Sequence, residues 1–392
     1  MKKTRRIAWV LHGSYKNEGR VYKESQTLAQ AGYKVRIFAT CKDSLPLTQQ
    51  EGSVSVERLV FPVLSRLRRI LYKVRPTRLF YYAMMVMSYT LRLTFRIWRY
   101  KADIIHCQNV YTLHIGFMCG KLLGVPYVYD SHDLFIEQAH MNGKSAAIKK
   151  MCGWYERFFA RRAAVVFQTS RMRSEYFEKM YGVKASVIMN KAMVPKVMKT
   201  VLSTEKYLCL RTSKSKLVYV GGIMPGRGIE TLIEAVTGLD SVQIFLLGNP
   251  AGVEGHNLLE KYKKQVCWIP AVPPGDVTNA LKVFDLGISL IENCCLSYYF
   301  ECPTKVWELI ISGTPQIASD FPEIRKVVVD NGIGPVGRVV DPSDARQVRR
   351  SIEEMINNPA ELEMCRKNCL RLRESCRWRT EADKLVDVYS RL

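Results

Sequence analysis

Short unbroken runs of apolar residues, each trailed by a stretch of helical periodicity, constrain the fold of this chain more than any other feature. Ile7-Ala8-Trp9-Val10-Leu11 is the first such run. Continuous apolar character, rather than alternation, suits a strand of a parallel sheet covered on both faces. A loop from His12 to Gly19 follows, then an amphipathic stretch with Val21, Leu28 and Ala31 at helical spacing, which stops at Gly32. Val35-Arg36-Ile37-Phe38-Ala39 is the next strand. Strand, helix and strand make the βαβ unit of a doubly wound sheet. Further strands are expected at Ala102–His106, Tyr127–Asp130 and Ala163–Phe167, with a helix near Leu113–Leu123. The first half therefore reads as one Rossmann-like unit.

The second half repeats the pattern. Leu217–Val220 is a strand that runs into Gly221-Gly222, and a helix from about Gly228 to Val236 follows. Val242–Leu247 and Phe284–Leu290 are further strands. Helix Lys305–Ser312 and strand Gln316–Ala318 come next. The polar, proline-containing segment 191–214 is the expected linker. The division is thus residues 1–195 and 200–377.

With 392 residues, two domains fit, or at most three, and a 47% hydrophobic content excludes wholesale disorder. The net charge of +23 is unevenly spread. Residues 1–198 carry 34 Lys and Arg against 12 Asp and Glu; residues 199–392 carry 25 against 24. Such asymmetry points the first half toward an anionic surface, nucleic acid or membrane. Residues 61–101 contain ten basic residues and no acidic one. Between the basic clusters lies Leu79-Phe80-Tyr81-Tyr82-Ala83-Met84-Met85-Val86-Met87. The apolar run ends by Leu91, short of the roughly 20 residues that span a bilayer. Aromatic and Met residues flanked by arginine match a helix lying among lipid headgroups. A helix with a merely solvated basic edge is the alternative. No nucleic-acid motif accompanies the charge.

The twelve cysteines contain no C-x-x-C pair and lack His-rich spacing, so a structural zinc site is not expected. Scattered cysteines without an export signal read as reduced thiols in a cytoplasmic protein. The Lys- and Arg-rich start resembles a signal-peptide n-region, but Ile7–Leu11 is too short for an h-region.

Three segments carry candidate chemistry. In Pro303-Thr304-Lys305-Val306-Trp307-Glu308, Pro303 suits a first helical turn, whose free amides and dipole form an anion site. Lys305 adds a point charge there. Glu308, one turn on, is placed to accept hydrogen bonds from the vicinal hydroxyls of a ribose. A surface ion pair between Lys305 and Glu308 is the competing reading. Gly221-Gly222-Ile223-Met224-Pro225-Gly226-Arg227-Gly228 lies between strand and helix, where backbone can approach a diphosphate and Arg227 can clamp it. It is not the G-x-G-x-x-G fingerprint. Tyr129-Asp130-Ser131-His132-Asp133 lies at a strand's carboxyl end, where open α/β sheets bind ligands. His132 there can bond a sugar, shuttle a proton or serve structure alone.

In this order the pieces resemble the GT-B retaining glycosyltransferases of family four, also called group 1. The likeness also takes in Gly19-Arg20-Val21-Tyr22-Lys23-Glu24, Ala102-Asp103-Ile104-Ile105-His106 and Gly313-Thr314-Pro315. It runs over essentially the whole chain. The resemblance implies two facing Rossmann-like domains, with the acceptor on the first, a nucleotide-diphosphate sugar on the second, and a last helix, about 378–392, crossing back onto the first. It implies Glu308 on the ribose and Arg227 on the diphosphate, with Lys305, the Thr304 amide and the Gly222 turn in support. His132 is then near the donor sugar, with Asp133 beside it. The loop from Gly13 to Gly19 is expected beside the substrates.

Two positions depart from the family pattern. Phe300 occupies the place of a glutamate common eight residues before the ribose-binding one, with Glu301 one step late. Gly222 occupies the place of a second arginine. No Asp-x-Asp is present, so no metal is expected and the leaving phosphate would rest on Arg227, Lys305 and the helix N-terminus. The family implies retention by front-face displacement; Asp133 and Glu292 are alternative bases. The expected function is sugar transfer to a lipid-linked acceptor at the inner membrane surface, with no cofactor beyond the nucleotide sugar and no nucleic acid. A sugar-nucleotide epimerase and a basic binding protein without catalysis are the rivals.

Overall fold

The computed structural model describes residues 4–16, 18–41, 45–60, 75–194, 200–203 and 205–392. Arg6–Leu11 (β1) lies in the middle of the first sheet, and every residue after Arg6 in it is buried, which is why its sequence is an unbroken apolar run. Its partners are Lys34–Cys41 (β2) and Ile104–Gln108 (β5), with Ile7 opposite Val35 and Ile104. The other strands are Thr48–Glu51 (β3), Val54–Val60 (β4), Tyr127–Asp130 (β6), Val165–Gln168 (β7) and Ser186–Val187 (β8). The order is β3-β4-β2-β1-β5-β6-β7-β8, parallel except for β3 against β4. That hairpin went unread in the sequence because Thr48-Gln49-Gln50-Glu51 has no apolar residue to carry a period.

The helices of this domain are Gly19–Gln30 (α1), Arg75–Tyr100 (α2), Leu113–Leu123 (α3), Ala146–Ala160 (α4) and Arg171–Tyr181 (α5). Helix α2 has two apolar sides. Tyr81, Met85, Tyr89, Leu93 and Ile97 recur every four residues and are buried. Phe80, Met87, Leu91, Phe95 and Trp98 fall on the opposite side and are about half or more exposed. Of the basic, acid-free stretch 61–101, the part 61–74 lies outside the described residues.

The second sheet holds Ser215–Val220 (β9), Val242–Leu247 (β10), Val266–Ile269 (β11), Leu286–Ser289 (β12), Gln316–Ser319 (β13) and Gly337–Val340 (β14). Its order is β11-β10-β9-β12-β13-β14, all parallel. Its helices are Ile229–Val236 (α6), Gly252–Tyr262 (α7), Val277–Leu281 (α8), Leu296–Tyr299 (α9), Thr304–Ser312 (α10), Pro322–Val328 (α11), Ala345–Ile356 (α12), Pro359–Leu372 (α13) and Arg379–Ser390 (α14). Both halves are thus Rossmann-like, as their patterns predict.

Helix α14 belongs physically to the first domain. Trp378, Leu385 and Tyr389 are buried in one cluster with Ile7, Trp9 and Leu28. Trp378 Nε1 donates to Thr27 Oγ1 at 2.9 Å, and the Tyr389 hydroxyl is 2.5 Å from His106 Nδ1. Each large side chain so buried stabilises the docking by about 1.5–3 kcal/mol.

Two sequence expectations change. Cys209 and Cys267 form a disulfide, so the cysteines are not all thiols. Pro303 is the residue before α10 rather than its first, with extended backbone (φ −73°, ψ 154°); the helix begins at Thr304. A proline side chain has no polar atom, so Pro303 gives that helix start no side-chain cap.

Candidate functional site

One wall of the cleft forms where β5 and β6 end. Asp130, the last residue of β6, is fully buried and accepts from Arg20 Nε at 2.8 Å and Nη2 at 2.9 Å. Burial alone would push its carboxyl up, but Arg20's charge and hydrogen bonds, with smaller help from His132 and His106, together outweigh that and hold it at about 2. Gln108 Nε2 also reaches Asp130 at 2.8 Å and His132 Nδ1 at 3.1 Å. Trp9 Nε1, a donor only, points at Gln108 Oε1 at 3.2 Å and so fixes which end of the amide faces His132. Nδ1 of a neutral His132 therefore accepts, and Nε2 carries the proton toward Asp133 Oδ2 at 3.5 Å. His132 and Asp133 share the wall of a cavity of about 210 Å³ with Asn109, Tyr111, Ser131 and Phe135.

The opposite wall forms where β9 ends. Gly248 comes so near that a Cβ on it would lie 1.9 Å from the Gly221 carbonyl oxygen. Gly228, the residue before α6, has φ +68°, and a Cβ there would lie 2.4 Å from that of Leu290. These approaches fold the 221–228 loop tightly against the sheet. Arg227 extends over the Tyr298 ring, 4.8 Å from its centre. Lys305 on α10 lies over the Tyr219 ring at 3.9 Å, and its buried Nζ has no hydrogen-bond partner among the described residues. Burial first, and Arg227 second, push Lys305 down to about 7, while Glu301 and Glu308 oppose the shift. Burial likewise pushes Glu308 up to about 7 against the charges of Lys23 and Lys305. Thr304 is the first residue of the uncapped helix. Gly222 is exposed; its carbonyl accepts from the Tyr219 hydroxyl at 2.7 Å, and a Cβ on it would meet nothing within 4 Å.

Arg173, absent from the sequence reading, ties the walls together. Its Nη1 donates to the His132 carbonyl at 2.5 Å, and its Nη2 donates to the Ser297 carbonyl at 2.7 Å. Asp133 and Glu301 flank it at 3.5 and 3.6 Å. Lys23, on α1, is also buried, with Nζ on Asn190 Oδ1 at 2.7 Å and its charge felt by Glu308. Its sequence signal was its place in the Gly19–Glu24 segment. Arg173 had a weaker one, a helix opening right after the strand end Gln168. The structure thus gathers Arg227, Thr304, Lys305 and Glu308 on one wall, with Gly222 at its loop. His132 and Asp133 stand on the other, and Asp133's charge is felt at Arg227. Phe300 packs beside Tyr176, whereas the Glu301 carboxylate bears on both Arg227 and Lys305. Glu292 adjoins Gly226 through its backbone N–H.

Chemically, this arrangement offers two cations and a free helix end to a diphosphate, a carboxylate to hydroxyls, and an imidazole across the gap. Glu24, His106 and Asp130 are the metal-compatible grouping among the described residues, and Arg20 already places its cationic fork against both carboxylates.

Residues 20–190 match the family model of the glycosyl transferase 4-like domain, and residues 206–371 that of glycosyl transferases group 1. No curated protein matches the chain in sequence. Among solved structures, sucrose-phosphate synthase from Thermosynechococcus elongatus is similar over 99% of this chain and 98% of its own, with 17% identity and a TM-score of 0.75. Anabaena HepE in complex with UDP-glucose is similar over 99% and 100%, with 15% identity and a TM-score of 0.72. The α,α-trehalose-phosphate synthase (UDP-forming) from Burkholderia vietnamiensis covers 99% of each chain, with 11% identity and a TM-score of 0.71. At these identities the likeness is one of fold.

Proposed function

The chain belongs to the group 1 glycosyltransferases and has the GT-B fold, and from that premise we propose that it moves a sugar from a nucleotide-diphosphate donor to a lipid-linked acceptor at a membrane surface. The observation that carries the donor half is Lys305 Nζ, buried and without a hydrogen-bond partner among the described residues at a helix start with no side-chain cap, with Glu308 one turn on. Leaving a buried polar group without a partner is costly, so such a group is what an absent anion would satisfy. That neighbours of the same fold were solved with UDP or UDP-glucose supports the same reading.

In this account residues 200–377 hold the donor. Glu308 accepts from the ribose hydroxyls, and Arg227 and Lys305 hold the diphosphate with the Thr304 amide and the Gly222 turn. The acceptor lies on residues 1–195, onto which 378–392 fold. His132 faces the donor sugar, oriented by Gln108 and paired with Asp133. As the bond from the sugar's anomeric carbon to the phosphate oxygen breaks, the acceptor oxygen bonds to the same face and its proton passes to the departing phosphate. Retention follows, and the leaving charge is met by side chains and amides rather than by a metal ion.

The membrane half rests on α2. Its second apolar side is exposed, Phe95 stacks on Trp98, and Arg92, Arg96 and Arg99 are exposed on the same stretch. No helix among the described residues is long and apolar enough to cross a membrane. A thermal-shift screen over nucleoside diphosphates and their sugars tests the donor site. A specific shift that Glu308→Ala abolishes is expected; no shift with any nucleotide refutes it. Replacing Arg66, Arg68 and Arg69 together should release the protein from acidic vesicles, and unchanged binding refutes the membrane half.

A further inference from the structure

The first domain contains a second, larger cavity, of about 550 Å³, between α2, α3 and α4. That is within the range of small-molecule sites and far above the voids native cores leave unfilled. Leu93, Ile115, Tyr89 and Val110 line its depth. Three of its polar wall groups engage each other: Thr90 Oγ1 is 3.0 Å from His114 Nε2, and His114 Nδ1 is 2.9 Å from the Tyr155 hydroxyl. Thr112 Oγ1 donates to the Gln108 carbonyl at 3.0 Å. An occupant of hydrocarbon thus strands none of these groups.

The position is as telling as the lining. Val110, Tyr111 and Phe135 line both this cavity and the pocket of His132 and Asp133. At its other side Val86 and Met151 are exposed, on the same helices as Phe80, Phe95, Trp98 and Trp154. The cavity therefore adjoins the pocket of His132 and Asp133 on one side and reaches, on the other, the helix surface that carries the exposed apolar side chains.

We propose that this cavity binds the hydrocarbon chain of the acceptor, so that the enzyme takes an amphiphile whose tail enters the protein between α2 and α4 while its polar head meets His132. The proposal rests on the reading of a lipid-linked acceptor and adds where the chain goes. Acyl and isoprenoid chains share the required chemistry.

Calorimetric titration in vesicle-free buffer, with n-alkyl phosphates of increasing length kept below micelle formation and with geranyl phosphate, tests it. Affinity should rise about fourfold per methylene and level off once the cavity is full. Tighter binding of the alkyl or of the geranyl compound names the kind of chain. Val86→Trp, at the exposed mouth, and Ile115→Trp, in the depth, should each weaken the longest ligand at least tenfold while the nucleotide thermal shift persists as the check on folding. No binding of any chain, or binding unchanged in both variants, overturns the proposal. Sedimentation of the wild-type protein with anionic vesicles separates the two readings. Vesicle binding without alkyl-phosphate binding refutes the cavity alone, and alkyl-phosphate binding without vesicle binding supports the cavity and refutes membrane docking.

Discussion

Lys305 and Glu308 carry opposite shifts to about 7, and the proposed donor site needs the first protonated and the second ionised. Affinity for a nucleoside diphosphate should therefore fall on both sides of neutrality. In the proposed site, Glu308 takes up a proton below about pH 7 and would accept from the ribose only weakly; above it Lys305 loses a proton and would no longer attract phosphate. Calorimetry across pH 5.5–9 checks this at intervals of about half a unit. Glu308→Gln should flatten the acid limb and Lys305→Met the alkaline one. Lys305 also loads the free protein. A cation held more weakly folded than unfolded costs stability at pH 7, and the cost fades as pH rises toward the ordinary lysine range. Lys305→Met should therefore raise the unfolding free energy by about 0.5–2 kcal/mol while abolishing the nucleotide-induced shift. Arg20 behaves oppositely. Arg20→Ala strands the buried Asp130 and Glu24 and should cost about 3–5 kcal/mol by denaturant unfolding. Much of the donor wall was legible because Lys305, Glu308 and Arg227 are close in sequence to the turns that aim them. Gln108 and Arg173 were not, since their partners lie 24 and 124 residues away and only the fold brings them together.

At the scale of elements, continuous apolar runs identified the central strands because burial on both faces leaves no other composition. β3 escaped because an edge strand needs no apolar residues. Helix α2 was legible as amphipathic and basic, but its two apolar sides emerge only when burial divides them. The α14 docking has a direct test. Tyr389 is wholly buried and bonded to His106, so Tyr389→Ala should cost about 3–5 kcal/mol in chemical unfolding. Tyr389→Phe keeps the ring and removes only the hydroxyl, and should cost about 1–3 kcal/mol through the unpaired His106. Equal losses in the two variants would mean that the ring itself contributes nothing to holding the helix.

Across the whole molecule, the charge asymmetry coincides with the proposed division of labour. The basic half contains α2, the apolar cavity and His132; the near-neutral half contains the proposed nucleotide wall, where a few local cations suffice. Segments 131–142 and 169–173 of the first domain meet 294–301 of the second through Asn142 to the Cys294 carbonyl, Ser170 to the Phe300 carbonyl and the Arg173 clasp. Arg173→Met should therefore lower the turnover of sugar transfer more than it weakens nucleotide binding, since the proposed donor groups all lie on the second domain. Comparing kcat with the nucleoside diphosphate Kd in that variant checks the split. The most direct measurement supplies a panel of sugar-labelled nucleotide diphosphates with a lipid extract and partitions the products. Label should pass from one donor into the organic phase, and both Glu308→Ala and Arg227→Ala should abolish the transfer. Label that stays in the aqueous phase with every donor, or transfer undiminished in both variants, would contradict the account.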